Sequence, residues 1–268
     1  MLSQKTIKNK ITCSGVGLHT GKKVKLTFHP AEPNTGILFR RIDGDKVVDI
    51  PATAKNVGET TLSTTLVYGD YKISTIEHLL SALAGTGVDN CIIDCDGPEI
   101  PIMDGSSTQF VFLIQTAGIV EQNAVKKFVY VTKSVQVQRD DAVARIKPYD
   151  GFRVTFTLEF DHPVYNKYPH SASIDFSQTS FIREVSRART FGLMDDLEKL
   201  KKMNLALGAN LNNAIGIGDE DVLNEGGLRF ADEFVKHKIL DAIGDLYLLG
   251  HNLICLLYTS DAADEAKW

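Results

Sequence analysis

The sequence predicts an α+β fold of two similar domains, each a β-sheet layered with helices. Three observations predict it. Short segments of alternating polar and apolar residues, separated by Gly, Pro and Asn turns, open the chain, as is typical of antiparallel strands. A helical, a strand and a second helical pattern then follow as far as residue 117. A similar order begins again near residue 128, so the second half is interpreted as a loose repeat of the first.

The first domain is expected over residues 1–122. Ser74 can cap a helix over residues 74–83, and Glu77 three positions later completes a capping-box pattern. The other predicted elements of this half are strands at 24–28, 37–41, 47–50 and 90–94 and a helix at 106–117.

The second domain is expected over residues 126–268, after a boundary near 121–126. Its predicted elements are strands at 128–132, 143–147, 152–160 and 253–258 and helices at 177–187 and 228–250. Four glycines among apolar residues interrupt the pattern at about 192–218, which indicates an insertion with an apolar lining. The repeat leaves only residues 259–268 where a last helix should follow, so we expect an incomplete C-terminal end.

Composition and charge narrow the function. The chain has 268 residues, a net charge of -5 and no block of lysine or arginine that could bind nucleic acid. No apolar run approaches the roughly 18 residues of a membrane span, and residues 1–12 lack a secretory apolar core. Cys91 and Cys95 stand about 13 Å apart in one strand, too far for a disulfide. We therefore expect a cytoplasmic monomer with buried thiols.

Residues 234–251 carry the strongest signal for chemistry. At about 100° per residue, a helix here places His237, Asp241 and Asp245 along one stripe that faces outward, opposite an apolar arc. A histidine and a carboxylate four positions apart on a helix can both reach one divalent ion. This helix therefore supplies half of a metal site.

The helix at 74–83 offers the other half. Glu77 alone is explained by the capping box, and a lone histidine at a helix start is more often a surface residue than a ligand. His78 has no equally plain structural role, and as a third ligand it would leave a fourth position for water. Glu77 would then stand beside a ligand and accept the proton of that water.

A second glycine-rich stretch, GVGLHTGK at residues 15–22, is similar to a phosphate-binding loop. Three residues separate Gly17 from Gly21 where four are needed, and Lys23 stands where a hydroxyl residue is required. We reject nucleotide-triphosphate binding here and expect His19 to be an exposed loop histidine.

Five blocks together resemble the UDP-3-O-acyl-N-acetylglucosamine deacetylase family. The blocks are GVGLHTGK at 15–22, TIEHLLSALAG at 75–85, PEIPIMDGS at 98–106, SRARTFG at 186–192 and HKILDAIGDL at 237–246. They occur in order with matching gaps from about residue 1 to 254. The resemblance implies zinc-dependent hydrolysis of the N-acetyl amide of UDP-3-O-acyl-N-acetylglucosamine, which releases acetate in the committed step of lipid A synthesis.

The resemblance also implies a set of roles. The two domains would face each other across the metal, with the active site in the cleft between them. The ligands would be His78, His237 and Asp241, with Glu77 as general base, and the ligand set suits ferrous iron as well as zinc. For the substrate, Thr190 would stabilise the oxyanion, Phe191 would pack on the sugar, Lys238 would pair with the diphosphate, and His19 would lie in the same pocket. The insertion would form a passage for the acyl chain.

The end of the chain departs from the family. Its members continue into an SGHALNN-like segment, whose histidine protonates the leaving amine and is oriented by the carboxylate at Asp245. Residues 256–268 read LLYTSDAADEAKW and contain no histidine. We interpret this tail as a frame-shifted or artificial end. Without that histidine, amine expulsion should be slowed by about 10²- to 10⁴-fold. The missing last helix should uncover part of the second domain's sheet and lower solubility.

Two other interpretations remain beside the deacetylase. The chain could be a catalytically impaired fragment that binds zinc and nucleotide sugar but lacks the general-acid histidine. The stripe could instead be a structural metal or ion-pair site, although structural zinc normally closes its fourth position with Cys or His.

Overall fold

The computed structural model describes residues 2–262 of the chain. Its first half contains nine strands and two helices in the order β1 Ser3–Ile7, β2 Ile11–Val16, β3 Lys23–Pro30, β4 Ile37–Asp43, β5 Lys46–Pro51, β6 Leu66–Tyr68, β7 Tyr71–Ile73, α1 Glu77–Thr86, β8 Cys91–Cys95, α2 Thr108–Ala117 and β9 Ile119–Val125. All four strands and both helices predicted for this half are present, with ends within a few residues of those expected.

The described part of the second half contains β10 Phe128–Tyr130, β11 Val135–Arg139, β12 Ala142–Lys147, β13 Phe152–Glu159, β14 Ser171–Asp175, α3 Gln178–Ser180, β15 Phe191–Leu193, α4 Met194–Lys202, β16 Ile215–Ile217, α5 Glu233–Tyr247 and β17 Asn252–Ala262. The predicted helix at 177–187 is a short α3 followed by a wider π-type turn, Phe181–Val185. The predicted helix at 228–250 is shorter at both ends.

The two large sheets repeat one topology, which confirms the predicted similarity of the halves. The first sheet has the order β2-β3-β8-β4-β5, and the second has the order β11-β12-β17-β13-β14, with β10 also paired to β17. In each, the central strand is antiparallel to one neighbour and parallel to the other. In each, the chain reaches that central strand directly from a helix, which is α1 in the first half and α5 in the second.

Helices α1 and α5 pack tightly against each other. All ten residues of α1 are buried, and apart from Glu77 and His78 their side chains are small or apolar. The two helices approach closely at Gly244, where an added Cβ would lie 2.1 Å from the carbonyl oxygen of Glu77. A glycine is therefore required at this crossing, and the crossing fixes which side chains of the two helices meet.

The start of α1 corrects the predicted capping box. The helix begins at Glu77, its N-cap is Ile76, and no side chain caps it. Thr75 has a φ of 58°, which turns the chain so that the Ser74 hydroxyl donates to Pro98 O instead of facing the helix. Glu77 therefore does not take part in a capping box, although its spacing from Ser74 predicted one.

The predicted boundary and insertion are both structured. Residues 119–125 form β9, which pairs antiparallel with β1, so the boundary region is not an extended linker. The insertion is a β15-α4-β16 unit whose two strands pair in parallel. Met194, Leu197, Leu211 and Ala214 line a small apolar pocket inside it.

The last described strand is longer than predicted. β17 runs between β12 and β13, so residues 256–262 of the segment expected to be aberrant are ordinary members of the central strand. The rest of that tail, residues 263–268, lies outside the described residues. The prediction that the chain lacks a last covering helix falls on this part.

Two further expectations concern the chain as a whole. Within residues 2–262, no helix is long and apolar enough to cross a membrane. Cys91, Cys95 and Cys255 are buried free thiols, as predicted, and Cys13 is free but half-buried.

Candidate metal centre and active site

Three side chains predicted as ligands meet at the α1–α5 crossing. Asp241 Oδ1 lies 3.4 Å from His78 Nε2 and 3.4 Å from His237 Nε2. One ligand atom from each of the three residues lies within 4.8 Å of the other two. The predicted convergence of the two helices is therefore confirmed, although the stripe of α5 faces α1 rather than solvent and His237 is only 2% exposed.

The orientation of His237 suits a metal ligand. Its Nδ1 lies 3.0 Å from Ala188 O and donates to that carbonyl, which leaves the Nε2 lone pair directed at Asp241 and His78. Burial lowers the pKa of His237 to about 3, so the imidazole is neutral at physiological pH. A neutral imidazole with its second nitrogen held by a carbonyl is the state that binds a divalent ion.

The polar atoms of the centre are poorly satisfied by protein alone. Asp241 Oδ1 and His78 Nδ1 are buried and have no hydrogen-bond partner among the described residues. Although burial opposes ionisation of Asp241, His237, Lys238 and His78 lower its pKa, so it is ionised. Tetrahedral zinc bound at about 2.0–2.1 Å places its ligand atoms roughly 3.4 Å apart, so the two measured separations and the unpaired oxygen fit a zinc-sized cation.

Glu77 stands beside this centre with a perturbed acidity. Its side chain is buried, and its Oε2 accepts a 3.0 Å hydrogen bond from the backbone N–H of Thr64. Burial raises its pKa to about 8, and the carboxylates of Asp245 and Asp241 add to the effect against the opposing influence of His78. In the metal-free protein this carboxyl group therefore holds a proton at neutral pH, as a group that exchanges protons in catalysis must be able to do.

Three of the residues predicted to bind substrate are Thr190, Phe191 and Lys238. Thr190 is buried, and its backbone is held by Gly105 O and Ile215 N. The Phe191 ring lies 6.0 Å from the His237 ring, and Lys238 Nζ lies 5.7 Å from the centroid of Phe191. Lys238 Nζ also lies 2.9 Å from Asp241 Oδ2. Phe191 and Lys238 thus lie beside the candidate ligands, and Thr190 immediately precedes Phe191.

His19 corrects the expectation of an exposed loop histidine. It is only 6% exposed, because the insertion covers it: Ala206 N donates to its Nδ1 at 3.4 Å, and Leu207 N donates to its carbonyl at 3.1 Å. Burial lowers its pKa against the opposing effect of Glu99. Its Nε2 is buried and has no hydrogen-bond partner within residues 2–262.

A sequence model described as UDP-3-O-acyl N-acetylglycosamine deacetylase matches residues 4–265. The chain belongs to this family. The UDP-3-O-acyl-N-acetylglucosamine deacetylase of Methylococcus capsulatus is 61% identical to it over 254 residues, which cover 95% of this chain and 84% of that protein. The enzyme of the same name from Alcanivorax borkumensis is 59% identical over 254 residues, with the same two shares. The predicted family is confirmed, and the alternative of an impaired binding fragment is not favoured.

Glu233 forms a buried ion pair next to the candidate metal site of this metalloenzyme family, and it was not predicted from the sequence. Glu233 lies one turn before His237 and is fully buried, and its carboxylate accepts from Arg189 Nε at 2.8 Å and from Arg229 N at 2.6 Å. Arg189 stands between Ala188, the partner of His237, and Thr190. The signal was present, because Glu233 extends the same four-residue spacing, but an acid in the first turn of a helix has an ordinary electrostatic explanation.

Thr64 was missed for a different reason. It lies in a loop before β6, and its partners in the family site, Glu77 and Asp245, come from α1 and α5. Nothing in its local sequence indicates contact with a residue 181 positions away. This contact depends entirely on the packing of the two halves.

Proposed function

We propose that the chain hydrolyses the N-acetyl amide of UDP-3-O-acyl-N-acetylglucosamine and releases acetate, the committed step of lipid A synthesis. The observation that carries this is the meeting of His78, His237 and Asp241 from two helices, with the buried carboxyl of Glu77 beside them. The two relatives that bear this enzyme's name support the substrate.

The metal that we propose is zinc, held by His78, His237 and Asp241, although ferrous iron suits the same ligands. When bound, such an ion polarises a carbonyl oxygen and lowers the pKa of water toward neutrality. Three protein ligands leave a position open, as catalytic sites require and structural sites do not. The unpaired Oδ1 of Asp241 and the neutral His237 support this assignment.

Glu77 is the proposed general base. Its carboxylate takes a proton from the attacking water, and the resulting neutral acid returns that proton to the amine nitrogen as the carbon–nitrogen bond breaks. A carboxyl group whose surroundings favour the protonated form is suited to hold the proton between these two steps. The Thr64 N–H bond to Oε2 leaves Oε1 to receive it.

The remaining roles concern the substrate. The Thr190 hydroxyl would donate to the oxyanion, and Phe191 would pack on the sugar ring. Lys238 would pair with the diphosphate, and His19 would contact the substrate beneath the insertion. Asp245, one turn after Asp241, would be a further catalytic carboxylate. In the family it orients the histidine that protonates the amine, but residues 256–268 contain no histidine, so Glu77 is the group that we propose returns the proton to the amine. The apolar pocket of the insertion supports a passage for the acyl chain.

The proposed domains are residues 1–122 and 126–268, with the site in the cleft between them. The repeated sheet topology and the position of the centre between α1 and α5 support this division. We also propose a cytoplasmic monomer, and the four free cysteines support a reducing compartment. Size-exclusion chromatography with light scattering tests the monomer.

The test is a deacetylation assay on the full chain, first stripped of metal and then reloaded with zinc. Activity should require the metal, and E77Q should lower kcat by about 10²- to 10⁴-fold while retaining zinc. E184Q, which changes an exposed glutamate in the π-type turn, is the matched control and should retain activity. A zinc-loaded chain that binds the substrate but releases no acetate would contradict the proposal.

A further inference from the structure

Thr64 touches both acidic groups that lie beside the candidate metal ligands. Its backbone N–H donates to Glu77 Oε2 at 3.0 Å, and its hydroxyl donates to Asp245 Oδ1 at 2.7 Å. Glu77 belongs to α1 and Asp245 to α5. One residue therefore joins a carboxyl group of the first half to a carboxyl group of the second.

The backbone around Thr64 is fixed, so its two donors point in defined directions. Its own carbonyl accepts from Ile76 N, and Thr65 is hydrogen-bonded in both directions, with its N–H to Glu59 O at 3.2 Å and its carbonyl to Gly58 N at 2.9 Å. Just before it, Leu62 has a φ of 60°, which turns the chain toward the site. Thr64 itself is buried.

The hydrogen bond between the Thr64 hydroxyl and Asp245 has a defined donor. An ionised carboxylate has no proton to give, so the Thr64 hydroxyl must be the donor and Asp245 the acceptor. A bond from a neutral donor to a charged acceptor is stronger than one between neutral groups. Removing the hydroxyl would thus free the Asp245 carboxylate while leaving the backbone bond to Glu77 in place.

We propose that Thr64 is a positioning residue that fixes the carboxylates of Glu77 and Asp245 relative to each other across the α1–α5 crossing. The proposal rests on the proposed role of Glu77 as the base. Both carboxyl groups lie in the protein interior, and a buried acceptor that is left without a hydrogen-bond donor is energetically costly. Thr64 supplies both donors from one rigid segment, so the base and its acidic neighbour keep one relative orientation through the reaction.

The experiment compares three variants of the zinc-loaded full chain. T64V keeps the volume and the backbone N–H but removes the hydroxyl, T64S keeps the hydroxyl, and T65V changes the adjacent buried threonine as a matched control. In T64V, kcat should fall by about 10- to 100-fold with KM and zinc content unchanged, the range seen when groups that orient site residues are lost. T64S and T65V should retain the activity of the wild type. A merely structural threonine would give equal losses in T64V and T64S, or a T64V enzyme with unchanged kcat, and either result would overturn the proposal.

A crystal structure of T64V separates this inference from the proposed function. The Asp245 carboxylate should leave its position next to residue 64, while Glu77 keeps its bond to the backbone. An Asp245 side chain that does not move overturns the inference whether or not the wild type is active. A wild type that binds zinc and substrate without turnover refutes the deacetylase function instead.

Discussion

The substitution Gly244→Ala tests the idea that the helix crossing sets the metal site. Helix propensity alone predicts that alanine would stabilise α5 by about 1 kcal/mol. The structure predicts the opposite, because the new Cβ would stand 2.1 Å from the carbonyl oxygen of Glu77. Backbone cannot give way as a flexible side chain does, so the helices must separate by roughly 1 Å, at an overpacking cost of about 1–3 kcal/mol.

That separation acts directly on the ligands. His78 comes from one helix and His237 and Asp241 from the other, so the separation between Asp241 Oδ1 and His78 Nε2, now 3.4 Å, should grow by a similar amount. Zinc affinity, measured by competition with a chromophoric chelator, should fall by about 10- to 100-fold, as when the groups that orient metal ligands are disturbed. Thermal unfolding should report the loss of stability.

Gly85→Ala is the matched control. Its added Cβ would also meet an atom at 2.1 Å, but that atom belongs to the ring of Phe181, away from the ligands. This variant should lose stability and keep its zinc affinity. The reasoning is wrong if G244A binds zinc as the wild type does, or if both variants lose the same affinity.

Two further predictions concern buried charges. Since the folded state raises the pKa of Glu77 from 4.5 to about 8, the stability that this group provides is complete below pH 4.5 and is lost as the pH rises toward 8. The metal-free wild type should therefore lose about 3 kcal/mol relative to E77Q between about pH 5.5 and pH 8 in urea unfolding, and parallel pH profiles would contradict this. E233Q should destabilise the fold by roughly 3–5 kcal/mol, because Arg189 would be left without its buried counter-ion, and an unchanged urea midpoint would refute that role.

The repeated order of strands and helices and the stripe of α5 could be predicted from the sequence because both are local patterns. The four-residue spacing of His237, Asp241 and Asp245 lies within one helix. Polar and apolar residues alternate along each strand, because one face of the sheet is exposed and the other is buried. The pairing of α5 with His78 was first proposed because His78 had no other plain role, and the resemblance then supported it, since no local pattern reports which helices cross.

The expectations that failed depend on contacts between distant segments. Ser74 has the spacing of a cap, but the left-handed Thr75 turns it toward Pro98. His19 is in a loop, where exposure is the ordinary expectation, yet residues 206 and 207 of the insertion cover it. Thr64 was missed because the packing of the two halves brings its partners together. Glu233 was missed because an acid in the first turn of a helix has a simpler local explanation.

The central claim is that one divalent ion binds where α1 meets α5. The most direct test is the metal content of the purified chain, measured by inductively coupled plasma mass spectrometry, for H78A, H237A and D241A beside the wild type. H251A, which removes an exposed histidine just after α5, is the control. Wild type and H251A should carry stoichiometric metal and the three ligand variants almost none. If H78A retains the metal of the wild type, the ion does not bridge the two helices.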